Sequence, residues 1–274
     1  MEQESQLAFS GMPVPTSDRE ADRAHTPQER RRKVIQDLLL EEGLWAVTRA
    51  HGHGSIESLE EDLLQNLKQQ SEETRRRYVS SLIRWFFPNR QLASPASLVW
   101  QAYGDRGLTF EVLRVLYLKS EPIVGQCVEE FLYPISANAV IPASYFDSYL
   151  RSSLGDIPKK TRGRLTQNLR KLGFLAKAQP GRDLLHPLNP SATCLFLMFT
   201  YYFAQDEVRT VEVPTVLADP FWKYLGLKSE DAVRKVFREA NNQGVLAKYV
   251  VADRLELVTT FLTFAQCLQK RVRL

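Results

Sequence analysis

Cysteine and histidine are scarce in this sequence, which limits the metal and redox chemistry that the chain can carry. Its 274 residues include 3 cysteines and 4 histidines. Cys127, Cys194 and Cys267 lie far apart, which excludes a disulfide framework or a zinc pattern and is typical of a reducing cytoplasm. His51 and His53 form a His-x-His pair with no cysteine or third histidine nearby, so we interpret them as loop residues. The sequence therefore predicts no metal site and no cofactor.

Long hydrophobic runs are also lacking. The longest apolar stretch, Cys194 to Phe203, is far shorter than the ~20 residues of a membrane-spanning helix, so it predicts a buried helix. The first 24 residues are polar and charged and show no secretory signal. Residues 1–25 have no hydrophobic periodicity and predict a disordered tail. Together these absences predict a cytoplasmic protein without a membrane partner.

Sequence patterns that bind nucleotides or build common catalytic centres are absent as well. There is no Walker loop and no Gly-x-Gly-x-x-Gly, Gly-x-Ser-x-Gly or zinc-deaminase pattern. Asp183 and His186 stand at helical spacing, but they fall in a predicted β-hairpin, which argues against a catalytic triad. The sequence therefore predicts a protein that is not an enzyme and that has no small-molecule substrate.

What the sequence does contain is an uneven distribution of charge. Residues 1–70 carry 8 basic and 13 acidic side chains, a net −5, whereas residues 71–192 carry 17 basic and 10 acidic side chains, a net +7. Residues 157–182 contain no Asp or Glu at all. The cations of this window favour an anionic partner, most commonly nucleic acid; a solvated helix face with acidic neighbours elsewhere in the fold is the alternative. They are Lys159, Lys160, Arg162, Arg164, Arg170, Lys171, Lys177 and Arg182.

Hydrophobic spacing predicts helices along most of the chain. Thr26 to Glu29 forms a capping box, and the apolar residues from Val34 to Leu39 follow at helical spacing, so we predict a helix that ends at Gly43. Further helices are predicted to begin near Ser55, Ser71, Ser94, Thr109, Glu121, Tyr145 and Asn189. Short strands are predicted at 174–178, near Leu184, and at 208–213, 247–251 and 255–259.

A repeat in the second half of the chain defines its predicted architecture. Residues 160–177 match residues 231–248 at an offset of 71, and Gly173-Phe-Leu-Ala-Lys becomes Gly244-Val-Leu-Ala-Lys. Each copy predicts an amphipathic helix, a glycine in the left-handed conformation, a short strand, a turn and a second short strand. This order is typical of the recognition helix and wing of a winged helix-turn-helix, although helix–hairpin units also occur in folds that do not bind DNA.

The expected architecture is a mostly α protein, with a helical N-terminal domain followed by winged-helix-turn-helix-like modules that have short β-hairpin wings. We predict the N-terminal domain at 26–140 and a C-terminal domain at 141–274, with repeats at about 142–190 and 214–260. The second copy begins Lys228-Ser-Glu-Asp, and this acidic first turn repels phosphate. We therefore expect the second module to bind DNA more weakly than the first or to dock a protein.

A third segment resembles the first copy. Thr74 to Tyr78 matches Thr161 to Leu165 at an offset of 87, which predicts a helix-turn-helix-like unit without a wing; an ordinary helix with exposed arginines is the alternative. Arginines at the start of a recognition helix pair bidentately with phosphate oxygens or with guanine. The predicted DNA-binding residues, with the wing contacts last, are Arg75, Arg76, Arg77, Lys159, Lys160, Arg162, Arg164, Arg170, Lys171, Lys177 and Arg182.

The order of these elements is similar to that of a known family. Four segments carry the similarity: Glu41-Glu-Gly-Leu, Ser71-Glu-Glu-Thr-Arg-Arg-Arg, the stretch from Leu116 to Phe131, and Lys160-Thr-Arg with Leu172-Gly-Phe-Leu. On these segments, within residues 27–190, the chain resembles the BREX protein A family of bacterial phage-defence systems. The resemblance implies a non-enzymatic DNA-binding accessory protein that works beside a DNA methyltransferase and ATPases encoded elsewhere, with other defence-system proteins as partners.

Binding of double-stranded DNA, largely through phosphate contacts, is the function that these observations favour. Two alternatives stay open. In the first, the protein is an assembly adaptor of a defence complex whose modules dock proteins. In the second, it is a winged-helix transcriptional repressor, which predicts a dimer on a palindromic site. The small number of predicted strands argues against an RNA-recognition sheet.

Overall fold

The computed structural model describes residues 35–69, 71–155, 158–252 and 255–274. The predicted tail at 1–25 and the capping box at Thr26–Glu29 lie outside the described residues. The fold is 60% helix, with 13 α-helices and small antiparallel sheets of 3 strands among the residues described. The expectation of a mostly α protein is therefore confirmed.

Among the described residues up to 132, all regular structure is helical. Its helices are α1 (Leu40–Ala50), α2 (Ile56–Asn66), α3 (Glu72–Phe86), α4 (Pro95–Tyr103), α5 (Arg106–Ser120) and α6 (Pro122–Gln126). A 3-10 turn (Pro88–Arg90) follows α3, and a π-helical turn (Cys127–Leu132) continues α6. The predicted starts of α2, α3 and α4 are confirmed, and at each one the serine side chain accepts a hydrogen bond from the backbone N–H three residues further on. Asp105 caps α5, which begins three residues before the predicted Thr109.

The remainder of the chain alternates helices with short strands. The elements are β1 (Val140–Pro142), α7 (Ala143–Leu154), α8 (Lys159–Lys171), β2 (Leu175–Gln179), β3 (Arg182–Leu185), α9 (Ala192–Phe203), β4 (Thr210–Glu212), α10 (Val213–Ala218), α11 (Phe221–Tyr224), α12 (Glu230–Asn242), β5 (Leu246–Ala252), β6 (Leu255–Thr260) and α13 (Phe264–Gln269). All the predicted strands are present, whereas β1 was not predicted.

The two sheets have the same strand order. It is β1-β3-β2 in the first sheet and β4-β6-β5 in the second, and all pairs are antiparallel. In both, a three-residue strand precedes the helices and pairs with the last strand of the unit. The second hairpin is longer, since Leu175 pairs with Leu185, 10 positions away, whereas Leu246 pairs with Thr260, 14 positions away. The sequence match at an offset of 71 therefore ends with the first strand of the hairpin.

Both repeated helices end in the predicted way. Gly173 has φ +84° and Gly244 has φ +69°, which are left-handed values that glycine adopts without strain. The next backbone N–H, of Phe174 or Val245, donates to the carbonyl oxygen five residues earlier, at 3.0 Å and 2.8 Å. This hydrogen-bond pattern closes the helix and turns the chain directly into the hairpin.

The predicted helix that ends at Gly43 is wrong. Residues 35–39 are not helical, α1 begins at Leu40, and Gly43 lies inside α1 instead of ending a helix. A Cβ added at Gly43 would collide with the ring of Phe86 in α3. Because Gly43 has no side chain, α1 and α3 can pack closely at this point.

Helix α5 lies at the centre of the molecule. Helices α1, α3, α4, α9 and α11 pack against it, and Val112, Leu113 and Val115 are fully buried. Buried side chains from Ile35 to Val272 form one hydrophobic cluster, so both parts of the chain share a core. The domain boundary at residue 140 stays a prediction. In the part of the chain that the structure describes, no helix has the length and apolar character needed to cross a membrane.

Candidate nucleic-acid interface

Helix α8 carries six of the eleven predicted DNA-binding residues. Thr161, Leu165 and Leu169 face the core and are buried. The opposite side of the helix is exposed at Lys159, Lys160, Gly163, Gln167 and Arg170. The helix therefore has one face in the core and one polar face directed away from it, as a helix that binds a macromolecule requires.

Asn168 lies on the flank of α8 and is fully buried. Its Oδ1 accepts a hydrogen bond from the Leu38 N–H at 2.9 Å, and its Nδ2 donates to the Gln36 carbonyl oxygen and to the Tyr117 hydroxyl, both at 2.7 Å. Burial raises the pKa of Tyr117, which keeps this hydroxyl neutral. One amide thus joins α8 to α5 and to the segment Ile35–Leu39, which we call the N-terminal strap.

Two predicted phosphate-binding residues hold the same strap. Arg164 Nη1 donates to the Ile35 carbonyl oxygen at 3.2 Å, and its Nε lies 3.7 Å from Asp37 Oδ1. Lys171 Nζ donates to the Leu38 carbonyl oxygen at 2.8 Å. The structure therefore gives both cations partners inside the protein, and their phosphate contacts stay predictions.

Arg162 and Arg170 have carboxylate partners from neighbouring elements. Arg162 Nη1 lies 2.8 Å from Asp147 Oδ2 in α7, and Arg170 donates two hydrogen bonds to Asp183 in β3, at 2.8 Å and 3.0 Å. These pairs connect α8 to the elements before and after it. Acidic neighbours elsewhere in the fold thus neutralise part of the basic window, as the alternative interpretation expected.

The other four cations of the basic window, Lys159, Lys160, Lys177 and Arg182, are exposed. Within the described ranges, none of their side chains has a hydrogen bond or ion pair. Lys177 is the register partner of Asp183, and Arg182 precedes it, so both lie beside the Arg170–Asp183 pair that joins the hairpin to α8. We call the resulting set the α8 surface: Lys159, Lys160, Gly163, Gln167, Lys177 and Arg182.

The three remaining predicted arginines lie on the first turns of α3. Their contacts differ: Arg75 Nη1 donates to the Gln69 carbonyl oxygen at 2.6 Å, Arg76 pairs with Glu72 at 2.7 Å, and the Arg77 guanidinium lies 5.7 Å from the ring centroid of Tyr78. The element after α3 is the 3-10 turn and no strand follows before α4, in line with a unit that has no wing. These arginines belong to a different element from the α8 surface.

Gly163 stands in the middle of the α8 surface. Nothing lies within 4 Å of the position that its Cβ would take, so no packing contact requires a glycine there. A glycine inside a helix costs about 0.5–1 kcal/mol relative to alanine. A glycine on an exposed helix face also lets another molecule approach the backbone more closely than any larger residue does.

We expect the substitution Gly163→Ala to change stability and DNA affinity in opposite directions. Chemical denaturation should show a gain of about 0.5–1 kcal/mol from the better helix former. If the α8 surface binds DNA, fluorescence anisotropy should show roughly tenfold weaker binding to a duplex, about 1.4 kcal/mol, because the added methyl group holds the helix away. The matched control is Gly107→Ala at an exposed glycine of α5, which should not change the affinity. Equal effects of the two substitutions on affinity would contradict a close approach at Gly163.

Sequence reasoning missed Asn168 and Gln167. The signal for Asn168 is a polar residue inside the apolar stripe of Leu165, Leu169 and Leu172, because a buried amide in such a stripe needs hydrogen-bond partners. The only feature that could have identified Gln167 is its position on the exposed face of α8, one turn from Gly163. Neither residue carries a charge, so a pattern of cations does not identify them.

No metal site helps to identify the function of the described residues. The described residues include no group of three or more His, Cys, Asp and Glu side chains placed to hold a metal ion. His53 contacts Ser58 and Asp62, at 3.0 Å and 3.5 Å.

Comparisons of the chain with protein families, with curated proteins and with solved structures found no match. Membership of the BREX protein A family stays a prediction.

Proposed function

We propose that the two repeated units are winged-helix modules, with α8 and α12 as recognition helices and the hairpins β2–β3 and β5–β6 as wings. Three features support this assignment: the shared strand order, the short strand before the helices, and the glycine that turns each helix into its hairpin. A helix placed before a wing is the element that enters the major groove in proteins of this architecture.

The proposed function is binding of double-stranded DNA, largely through its phosphates. The observation that carries it is the α8 surface, where four exposed cations without a side-chain partner flank an exposed helix face. Cations that no protein carboxylate neutralises release counterions from DNA when they contact phosphates, which drives association. The exposed Gln167 offers an amide that matches the major-groove edge of adenine.

The packing of α8 supports this role because it fixes the helix before any ligand arrives. Arg114 in α5 donates from Nε to the Leu172 carbonyl oxygen at 2.9 Å, at the end of α8, and its guanidinium lies 5.9 Å from the ring centroid of Phe174. Asn168 and the N-terminal strap hold the flank of the helix. A helix ordered in advance loses less conformational entropy when it binds.

The biological setting of this proposal rests on the sequence resemblance. We propose a non-enzymatic accessory protein in the cytoplasm, in a BREX phage-defence system, with other defence-system proteins as partners. Its own contribution would be to hold double-stranded DNA for enzymes encoded elsewhere.

The proposal predicts a strong salt dependence of binding. If the four cations of the α8 surface each neutralise one phosphate, log Kd should rise with log [salt] with a slope of about 3.6 or steeper, which is about 10² in affinity between 50 and 200 mM salt. The measurement is fluorescence anisotropy of the purified protein with a labelled 30-base-pair duplex of random sequence, and with a duplex from the native operon.

The outcomes separate the candidate functions. Equal affinity for the two duplexes supports a sequence-tolerant accessory protein. A preference for the operon duplex supports the repressor. If no duplex binds at 50 mM salt, the DNA proposal is wrong and the assembly adaptor takes its place.

A further inference from the structure

The acidic residues at the start of α12 gather around one arginine. Arg234 Nη1 lies 3.1 Å from Glu230 Oε2 and 3.5 Å from Asp231 Oδ1, and its Nε donates to both carboxylate oxygens of Glu256 in β6, at 3.0 Å and 3.1 Å. Three carboxylates thus gather around one guanidinium. The Tyr249 hydroxyl donates to Glu256 as well, so that carboxylate is engaged twice.

Beyond this cluster, α12 and β5 carry three exposed cations. Lys235 and Arg238 stand one turn apart on the exposed side of α12, opposite the buried Val233 and Phe237, and Lys248 is exposed on β5. As far as the described residues go, the side chains of these three cations have no hydrogen bond or ion pair.

The hairpin β5–β6 is bonded to α12, the helix that carries Lys235 and Arg238. The Tyr249 N–H donates to Asn241 Oδ1 at 3.0 Å, which ties β5 to the last turn of α12. Lys248 is the neighbour of Tyr249 in β5. Burial raises the pKa of Tyr249 to about 12, the hydrogen bond to Glu256 adds to this shift, and the nearby charge of Arg238 opposes it. Arg238 on the helix therefore lies near Tyr249, and Lys248 is the residue before it in β5.

Comparison with the first module shows why this surface is open. At an offset of 71, Lys235 corresponds to Arg164, Arg238 to Gln167 and Lys248 to Lys177. Arg164 is held by the N-terminal strap, whereas Lys235 is exposed. The second module therefore presents a helix flank that the first module covers.

We propose that Lys235, Arg238 and Lys248, the α12 surface, form a second binding site for double-stranded DNA, which contacts the phosphate backbone. The acidic residues that face this site are Asp231, held by Arg234, and Glu239, whose carboxylate accepts from the Gln243 amide at 3.4 Å. The choice of ligand rests on the proposed function, while the surface itself is independent of the α8 surface. One chain thus holds DNA at two places.

The test is a triple variant, Lys235→Ala, Arg238→Ala and Lys248→Ala, in the full chain, compared with Lys68→Ala, Arg106→Ala and Lys270→Ala. Both variants remove three exposed cations and the same net charge. With the 30-base-pair duplex, the α12 variant should lower the slope of log Kd against log [salt] by about 2.7 and weaken binding at 100 mM salt by roughly 10²-fold or more. The control variant should match the wild type.

Several outcomes decide the matter. If wild type binds and the α12 variant keeps the slope of the control, the second site is wrong and the proposed function of the α8 surface stands. If wild type binds no duplex at 50 mM salt, the proposed function and this inference both fail. Should the triple variant fold poorly by circular dichroism, the double variant Lys235→Gln and Arg238→Gln keeps polar side chains on the helix and should still lower the slope by about 1.8.

Discussion

Replacement of Lys159, Lys160, Lys177 and Arg182 by alanine is expected to lower the affinity for a 30-base-pair duplex at 100 mM salt roughly 10³-fold. Four phosphate contacts contribute about 3.6 to the slope of log Kd against log [salt], and this electrostatic contribution grows by about that many decades between 1 M and 0.1 M salt. None of the four side chains has a partner in the described part of the chain, so the fold loses no ion pair with them.

A matched control separates this surface from the net charge of the protein. Lys68, Arg106, Lys270 and Arg273 are exposed cations outside α8 and its hairpin, and their joint replacement by alanine lowers the net charge by the same amount. We expect anisotropy titrations at 50, 100 and 200 mM salt to give the control the slope of the wild type. If the two variants lose affinity equally, binding follows net charge and the α8 surface is not the site.

The substitution Asn168→Leu is expected to destabilise the protein by about 3–5 kcal/mol. It leaves the Leu38 N–H, the Gln36 carbonyl oxygen and the Tyr117 hydroxyl without the hydrogen bonds that the Asn168 amide now makes. Each buried polar group that loses its partner costs about 1–3 kcal/mol, and leucine recovers part of this as a similar-sized apolar side chain.

Urea denaturation of the purified variant measures this loss. Gln167→Leu is the matched control, because it makes the same type of change at the adjacent exposed position of α8 and should stay within about 0.5 kcal/mol of the wild type. A loss below 1 kcal/mol for Asn168→Leu would show that the N-terminal strap is not held by this amide. The strap would then contribute little to the rigidity of α8.

The sequence predicted the local elements of the fold well where local signals determine them. Serine caps and left-handed glycines each set a boundary within a few residues, and the structure confirms Ser55, Ser71, Ser94, Gly173 and Gly244 in these roles. The strand β1 was missed because three residues, one of them a proline, give too short an alternating pattern. Its existence depends on pairing with β3, which is a long-range contact.

The predicted helix through Ile35 failed for a different reason. The spacing of Ile35, Leu38 and Leu39 suits a helix, but it suits equally an extended segment whose apolar side chains enter the core. What decides between them is the supply of hydrogen bonds to the backbone. Side chains of α8, 130 residues later, bind the backbone groups of this segment, and no local pattern contains that information.

The sequence predicted the positive charge of the candidate site but not the positions of its side chains in space. The sequence identified the basic window, yet three of its arginines pair with Asp37, Asp147 and Asp183, of which the first two lie well outside the window. Such pairing depends on tertiary structure, which brings distant residues together. Only the fold therefore shows which cations of the basic window are exposed.

The hydrogen bonds between the N-terminal strap and α8 can form only after α8 has been synthesised. The ribosome makes Leu38 long before Asn168, its hydrogen-bond partner 130 residues further along. At 5–20 residues per second, the strap emerges and waits on the order of ten seconds for the helix that completes it. During that interval the nascent chain presents bare amide and carbonyl groups beside apolar Ile35 and Leu38. The strap therefore cannot take its final place in the core until the basic helix has left the ribosome.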